Sequence, residues 1–180
     1  IFTHRDLDGA DSYLAIKWFI EHPNTEITYT AVGSTSGIRE TITTWMIRHN
    51  FSDFDKIYFL DLTVYDAKDL IDRSNVTIID HHLTHVNAIE ENGKYENAKA
   101  IVVEYTSCCK LIYKLFTRNA DLNLTLSKQQ QLLIAICDDY DCYKLKIRYS
   151  KPLNWVFYGY SNSFETFITR FDAGFDGFNS

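Results

Sequence analysis

The sequence predicts an α/β fold: an open, parallel, five-stranded sheet with helices on both faces and a small helical extension at the carboxyl end. Short apolar and β-branched runs alternate with segments of helical periodicity along most of the 180 residues. This spacing is typical of βαβ units and a parallel sheet. Several of the runs also end directly in histidine or aspartate, which would place polar groups at the carboxyl edge of the sheet.

Each predicted strand is an apolar run that stops at a polar or turn-forming residue. The run Ile-Phe-Thr leads into His4, Ile-Tyr-Phe-Leu leads into Asp61, and Val-Thr-Ile-Ile leads into Asp80. An alternating segment is broken by Gly33, and a further short apolar run follows a polar stretch. We therefore expect strands at residues 1–3, 26–32, 56–60, 76–79 and 100–103.

The predicted helices lie between these strands and after the last one. The first begins beyond the turn at Gly9 and stops before Pro23, and the second carries apolar residues such as Ile42 at helical spacing. By contrast, residues 88–99 are polar and contain a glycine, which predicts a hairpin-like loop. We expect helices at residues 10–21, 38–49, 66–71, 107–116, 127–137, 153–158 and 164–171.

Composition limits the classes of partner. The net charge of −6 argues against broad electrostatic adhesion to nucleic acid, although two divalent cations would bring it to −2. No apolar run approaches the ~20 residues of a membrane span, so no membrane partner is expected. The four cysteines, Cys108, Cys109, Cys137 and Cys142, lack zinc spacing and predict reduced thiols in a cytoplasmic protein.

Three strand ends bring together imidazole and carboxylate side chains. A lone aspartate at such a junction is most often a helix cap, but unpaired carboxylates packed together would cost several kcal/mol. Cations remove that cost, and mixed imidazole and carboxylate ligands suit Mn²⁺, Fe²⁺, Co²⁺ or Zn²⁺ better than Mg²⁺. The carboxylate count favours two ions that share a bridging aspartate. The residues concerned are His4, Asp6, Asp8, Asp61, Asp80 and His81, with His82 beside them.

The spacing of these residues resembles the motifs of a known family. The segments His4-x-Asp6-x-Asp8-Gly9, Phe59-Leu60-Asp61 and Asp80-His81-His82 are similar to motifs I, II and III of the DHH phosphoesterase superfamily. That superfamily includes RecJ-type nucleases, nanoRNases, cyclic dinucleotide phosphodiesterases and family II pyrophosphatases. The first motif is most similar to the NrnB-type oligoribonuclease branch.

The resemblance implies a role for each motif residue. One Mn²⁺ would be held by His4 and Asp6, the other by Asp8 and His81, and Asp61 would bridge the two ions. Mg²⁺, Co²⁺ or Zn²⁺ are alternatives to Mn²⁺.

The remaining motif residues would act beside the metals. Asp80 would orient its neighbours, and His82 would contact a substrate phosphate or act as an acid. The fourth motif of the family is an aspartate after a buried helix. Asp139 and Asp141 are both candidates for it. Spacing from the helix slightly favours Asp139, whereas the Asp-Tyr-Asp sequence of the NrnB-type branch favours Asp141.

The resemblance also implies a domain organisation. Residues 1–150 would form the catalytic domain and residues 151–180 a short helical extension. Family members usually carry a second, smaller domain that binds the rest of the substrate. Residues 151–180 contain only Lys151 and Arg170 as cations, so we expect that domain to be absent here. The chain is then either a catalytic-domain fragment of a longer protein or a minimal form for which a homo-oligomer or a partner chain supplies the second domain.

The expected activity is metal-dependent hydrolysis of short RNA or DNA oligonucleotides, single-stranded ends or another small phosphate ester. A phosphatase, a pyrophosphatase or a cyclic dinucleotide phosphodiesterase with the same metals is the alternative, and a non-catalytic metal-stabilised binding domain is a third. A cleft lined by aromatic rings would favour nucleotides because bases stack on them; the alternative is that these rings form the core of a small cap. The rings concerned are Tyr140, Tyr143, Trp155, Tyr158 and Tyr160.

Overall fold

A parallel five-stranded sheet organises the fold, as predicted. The computed structural model describes residues 1–118, 125–161 and 164–178. The strand order is β2-β1-β3-β4-β5, and every neighbouring pair is parallel. This confirms the α/β class and the open parallel sheet. The strands are β1 (Phe2–His4), β2 (Thr30–Val32), β3 (Ile57–Leu60), β4 (Val76–Asp80) and β5 (Lys99–Val102).

The described part of the chain contains eight α-helices. Polar side chains cap several of them: Asp6 accepts a hydrogen bond from the Gly9 amide, and Ser127 forms a capping box with Gln130. The helices are α1 (Leu7–Ile20), α2 (Ile38–Met46), α3 (Lys68–Ile71), α4 (Leu83–Asn92), α5 (Cys108–Thr117), α6 (Lys128–Asp141), α7 (Ser150–Val156) and α8 (Phe164–Arg170). None of the helices in this part of the chain has the length and apolar character that crossing a membrane requires.

The chain divides into two compact units. The first contains residues 1–5 and 28–105, and therefore the whole sheet with α2, α3 and α4. Its core is apolar and aromatic: the Phe2 ring stacks on Phe59 with centroids 4.7 Å apart, and Trp45 of α2 meets Phe2 edge-on. This core fixes the strand ends that carry the candidate site, since a close-packed interior leaves little freedom to the backbone around it.

The second unit is helical. It contains residues 6–27 and the described residues from Thr106 onward, and α1 packs there against α5, α6 and α8. The Phe19 ring stacks on Phe116 at 4.8 Å, and Tyr13 meets Phe164 edge-on. The described residues after 150 thus share this unit with α1, α5 and α6. The boundary expected after residue 150 lies inside α7 and stays a prediction.

The main error of the sequence prediction concerns the segment after β4. A hairpin-like loop was expected over residues 88–99, but α4 occupies Leu83–Asn92 and ends at Gly93, whose φ of 91° requires glycine. The only buried residue of α4 is His85. Apolar residues do recur at helical spacing in α4, at Leu83, Val86 and Ile89, but none of them is fully buried and polar residues surround them, so the repeat is weak. In addition, α6 extends one turn beyond the predicted end at residue 137, to Asp141.

Candidate metal centre

Asp61 lies at the centre of the polar group in the first unit. The carboxylate Oδ1 is 3.2 Å from His81 Nε2 and 3.9 Å from His82 Nδ1, and Oδ2 is 4.0 Å from His4 Nδ1. Atoms of Asp61, His81 and His82 come close enough together to hold a metal ion. Asp61 is 1% exposed, so its charge is shielded from water and would favour a cation.

The backbone turns sharply at Asp61. Its φ is 56°, in the left-handed region that aspartate tolerates better than most residues. Its amide still donates to the carbonyl of Ile79 at 3.1 Å, in continuation of the β3–β4 ladder. The carboxylate is thus set at the carboxyl end of β3 beside the end of β4, as the sequence predicted.

Hydrogen bonds fix the orientation of both motif histidines. His81 Nδ1 lies 3.2 Å from the carbonyl oxygen of Tyr105, so Nδ1 carries the proton and the lone pair is on Nε2, the atom facing Asp61. His82 Nδ1 lies 2.6 Å from Oδ1 of Asp80. This pairing places the lone pair of neutral His82 on Nε2 as well.

Asp80 is a fully buried carboxylate with several donors. Oδ1 accepts from His82 Nδ1 and from the His81 amide at 2.8 Å, while Oδ2 accepts from His85 Nδ1 at 2.8 Å. Burial alone would raise the pKa of Asp80, but the hydrogen bonds and charges of His82 and His85 outweigh it and lower the pKa well below its usual range. Asp80 is therefore ionised and orients the neighbouring imidazoles.

Asp8, on α1, belongs to the second unit. Its two carboxylate oxygens accept hydrogen bonds from the amides of Cys108 and Cys109, at 2.7 and 3.0 Å. These are the first amides of α5, whose N-terminus stabilises negative charge. One oxygen of Asp8 also lies within 4.8 Å of an oxygen of Asp141.

The two aspartates considered for the fourth motif have different surroundings. Asp139 is buried and accepts hydrogen bonds from the amides of Lys146 and Ile147 and from the Ser150 hydroxyl, at 3.1, 2.9 and 2.6 Å. Burial would raise the pKa of Asp139, but these hydrogen bonds outweigh it and lower the pKa. Asp141 is exposed and closes the end of α6.

The comparison with protein families agrees with this geometry. A family model described as the DHH family, N-terminal domain, matches residues 1–137. The chain belongs to the DHH family. No curated protein and no solved structure matches it. The predicted family is thereby confirmed, and the chain is a metal-dependent phosphoesterase in the general sense of that family.

The donor set of this DHH protein fits a divalent metal. Neutral imidazole nitrogens and aspartate oxygens converge at Asp61, a mixture typical of Mn²⁺, Co²⁺ or Zn²⁺ ligands. The tautomer of His81 places a lone pair on the side of Asp61, and a backbone carbonyl holds the other ring nitrogen, as is usual for metal-bound histidines. In the second unit, Asp6 caps α1, with its Oδ1 2.9 Å from the Gly9 amide.

Sequence reasoning missed two members of the Asp80 network. His85 is fully buried, and its Nε2 lies 3.0 Å from the hydroxyl of Tyr95. The hydroxyl of Thr63 approaches Oδ2 of Asp80 at 3.5 Å. A third histidine three residues after His82 was the available signal for His85, but no element was predicted between His82 and residue 88.

The predicted aromatic residues are mostly at the surface. Tyr143, Trp155 and Tyr158 are 72%, 68% and 56% exposed, so they do not form the core of a cap. Tyr140 is partly buried, and its hydroxyl accepts from Asn154 at 2.8 Å. The side chain of Tyr160 lies outside the described residues.

Proposed function

We propose that this DHH protein is a phosphodiesterase that hydrolyses short oligonucleotides or single-stranded nucleic-acid ends with two divalent ions, preferably Mn²⁺. The observation that carries the proposal is the convergence of His81, His82 and His4 on the buried carboxylate of Asp61. When bound, such ions supply a hydroxide nucleophile at neutral pH and neutralise phosphate charge. The donor chemistry of the group supports this choice.

His81 and His82 have different roles in this proposal. His81 Nδ1 is held by the Tyr105 carbonyl, so its Nε2 serves as a ligand. His82 donates Nδ1–H to ionised Asp80, which fixes the orientation of the ring and leaves Nε2 available. Protonated Nε2 of His82 would then hydrogen-bond a phosphoryl oxygen or give its proton to the leaving oxygen.

For the fourth motif we propose Asp141 in place of the slightly preferred Asp139. All three hydrogen bonds of Asp139 bind its carboxylate to the segment after α6, which suits a structural role. Asp141 has an oxygen close to Asp8, another carboxylate, and two such groups would repel unless a cation lay between them. The assignment of His4 and Asp6 to one ion remains a prediction.

Nucleotide substrates are supported by the exposed rings of the second unit. Base stacking on an aromatic ring contributes about 1–3 kcal/mol per base, with little sequence preference. Trp155 and Tyr158 present such rings to solvent. A pyrophosphatase would gain nothing from them, so they favour the phosphodiesterase over the phosphatase or pyrophosphatase alternative.

A cytoplasmic location is also part of the proposal. All four cysteines are free, and Cys108, Cys109 and Cys137 are buried. Adjacent and buried thiols without disulfides are typical of a reducing compartment. A second copy or another chain that supplies a substrate-binding domain stays a prediction.

The proposal is tested by a Mn²⁺-dependent activity panel. Substrates are RNA and DNA dinucleotides, longer single strands, cyclic dinucleotides and pyrophosphate, each with Mn²⁺, Mg²⁺, Co²⁺, Zn²⁺ or chelator. We expect dinucleotides to be hydrolysed fastest, with Mn²⁺. Asp61→Asn should abolish hydrolysis and reduce bound metal, whereas Asp55→Asn, a change at an exposed site, should do neither. Faster hydrolysis of pyrophosphate or cyclic dinucleotides than of linear dinucleotides would overturn the substrate assignment.

A further inference from the structure

A cleft of about 460 Å³ opens in the first unit, next to the candidate metal residues. His4 and His82 line one part of it, and both approach Asp61. The volume lies within the ~300–1,000 Å³ of small-molecule sites. The rest of the lining comes from the segment after β2, the segment after β3 and the start of α4, and includes Gly33, Ser34, Ser36, Thr63, Asp66 and Thr84.

The walls of the cleft are rich in hydroxyl groups. The Ser34 and Ser36 hydroxyl oxygens are 2.8 Å apart, and those of Thr63 and Thr84 are 3.2 Å apart. Each hydroxyl can donate one hydrogen bond and accept others. The pairs therefore form two polar strips whose hydrogen bonds can be redirected to a ligand.

The described lining contains a carboxylate but neither lysine nor arginine. Asp66 contributes a group that only accepts hydrogen bonds when ionised. A further phosphate, beyond the one at the metal group, would be repelled by the Asp66 carboxylate, and the nearby guanidinium of Arg39 is already bound to the Asp66 carbonyl at 2.8 Å and to Asp69. Apart from the two histidines, the described lining also offers no ring on which a base could stack. These features fit a neutral ligand with several hydroxyl groups.

We infer that this cleft binds the ribose adjoining the scissile phosphate and thereby makes the enzyme prefer RNA to DNA. The inference rests on the proposed function, since the phosphate must lie at the metal group for the sugar to enter the cleft. The Asp66 carboxylate accepts from ribose hydroxyls, as acidic residues do in dinucleotide-binding folds. The serine and threonine hydroxyls complete the hydrogen bonds. Base identity has little influence at this position.

The first test compares matched sugars. Hydrolysis of an RNA dinucleotide, the same DNA dinucleotide and bis(p-nitrophenyl) phosphate, which has no sugar, is measured with Mn²⁺. We expect kcat/KM for RNA to exceed that for DNA by tenfold or more, because a site built to bind a hydroxyl rejects the analogue that lacks it. Asp66→Ala should reduce this ratio about tenfold, the usual effect of losing one charge-assisted hydrogen bond.

The second test fills the cleft. A Cβ added at Gly33 or at Gly37 would meet no heavy atom within 4 Å, and neither backbone is in the left-handed region. Both Gly33→Leu and Gly37→Leu should therefore fold, but only Gly33 lines the cleft. We expect Gly33→Leu to raise KM for the RNA dinucleotide about tenfold and Gly37→Leu to leave it unchanged.

Binding without turnover separates the two hypotheses. Calorimetry with AMP and dAMP on the protein in the presence of chelator should show tighter binding of AMP. The Gly33→Leu variant should lose this difference between AMP and dAMP. Equal rates on RNA and DNA, with the sugar-free diester still hydrolysed, would overturn the ribose site and leave the proposed function standing. If no diester is hydrolysed, the proposed function fails, and the AMP comparison still decides whether the cleft recognises ribose. Equal binding of AMP and dAMP would contradict the ribose site.

Discussion

His85 Nδ1 lies 2.8 Å from Oδ2 of Asp80, and both side chains are fully buried. The other carboxylate oxygen of Asp80 accepts a hydrogen bond from His82 Nδ1 at 2.6 Å. One ionised carboxylate therefore joins a histidine in the interior to a histidine at the cleft. Since the Tyr95 hydroxyl lies 3.0 Å from the far side of His85, the carboxylate is fixed in position through several hydrogen bonds.

This relationship predicts that His85 positions His82 without touching substrate. His85→Ala should lower kcat about tenfold with little change in KM, because Asp80 can then rotate away from His82. It should also cost about 2–4 kcal/mol of unfolding free energy, from the cavity and the lost hydrogen bonds. Steady-state kinetics and urea unfolding measure both effects.

The controls separate positioning from general loss of structure. His85→Asn retains an N–H donor for Asp80 and should recover most of kcat, whereas His22→Ala, at an exposed site, should change neither quantity. If His85→Ala keeps wild-type kcat at a temperature where it is folded, His85 has no positioning role.

The two motif histidines should respond differently to alanine. His81 Nε2 faces Asp61 at 3.2 Å, so His81→Ala should weaken metal binding at least tenfold. His82 Nδ1 is already engaged by Asp80, so His82→Ala should retain the metals and slow hydrolysis by about 10²–10⁴, the usual contribution of an acid–base residue. Equilibrium dialysis and single-turnover kinetics distinguish these outcomes. Equal metal loss in both variants would contradict the division of roles.

Substitutions of Asp139 and Asp141 should affect different properties: the first should change stability and the second metal binding. Asp139→Ala removes the acceptor of three hydrogen bonds in a buried position and should cost about 1–3 kcal/mol of unfolding free energy. Asp141→Asn alters an exposed residue and should reduce metal affinity, while the unfolding free energy of the metal-free protein should not fall, because the change also removes the repulsion between Asp141 and Asp8. Urea titrations of metal-free protein and metal titrations of the folded protein measure the two. The reverse pattern would restore Asp139 as the ligand.

The sequence predicted the parts of the site that follow apolar strands. Asp61, Asp80 and His81 lie where strand ends must place them, because parallel strands bring their carboxyl ends to one edge. His85 escaped prediction since its helix buries a histidine in place of an apolar residue. The hydrogen bonds between Asp8 and the amides of α5 span about 100 residues of chain, and no local pattern predicts such a pairing.

Asp11 of α1 should make the stability of the metal-free protein depend on pH. Its carboxylate is fully buried and receives no hydrogen bond of normal geometry among the described residues. Burial raises the pKa of Asp11 to about 8, with the Asp8 charge adding to the effect and the nearby thiols of Cys109 and Cys137 partly opposing it. In the unfolded chain the pKa returns to its usual value near 3.8.

Between these two pKa values the folded protein holds a proton that the unfolded chain has released. Unfolding free energy must therefore fall as the pH rises from about 4 to about 8, and this contribution levels off above the folded pKa. The Asn side chain cannot ionise, so Asp11→Asn should lose most of this pH dependence. Between pH 5 and pH 8, the unfolding free energy of the variant should therefore fall by less than that of the wild type. Urea unfolding with chelator at pH 5, 6.5 and 8 measures the difference, and Asp55→Asn serves as the exposed control. Parallel pH profiles for wild type and Asp11→Asn would show that Asp11 is ionised in the folded protein throughout this range.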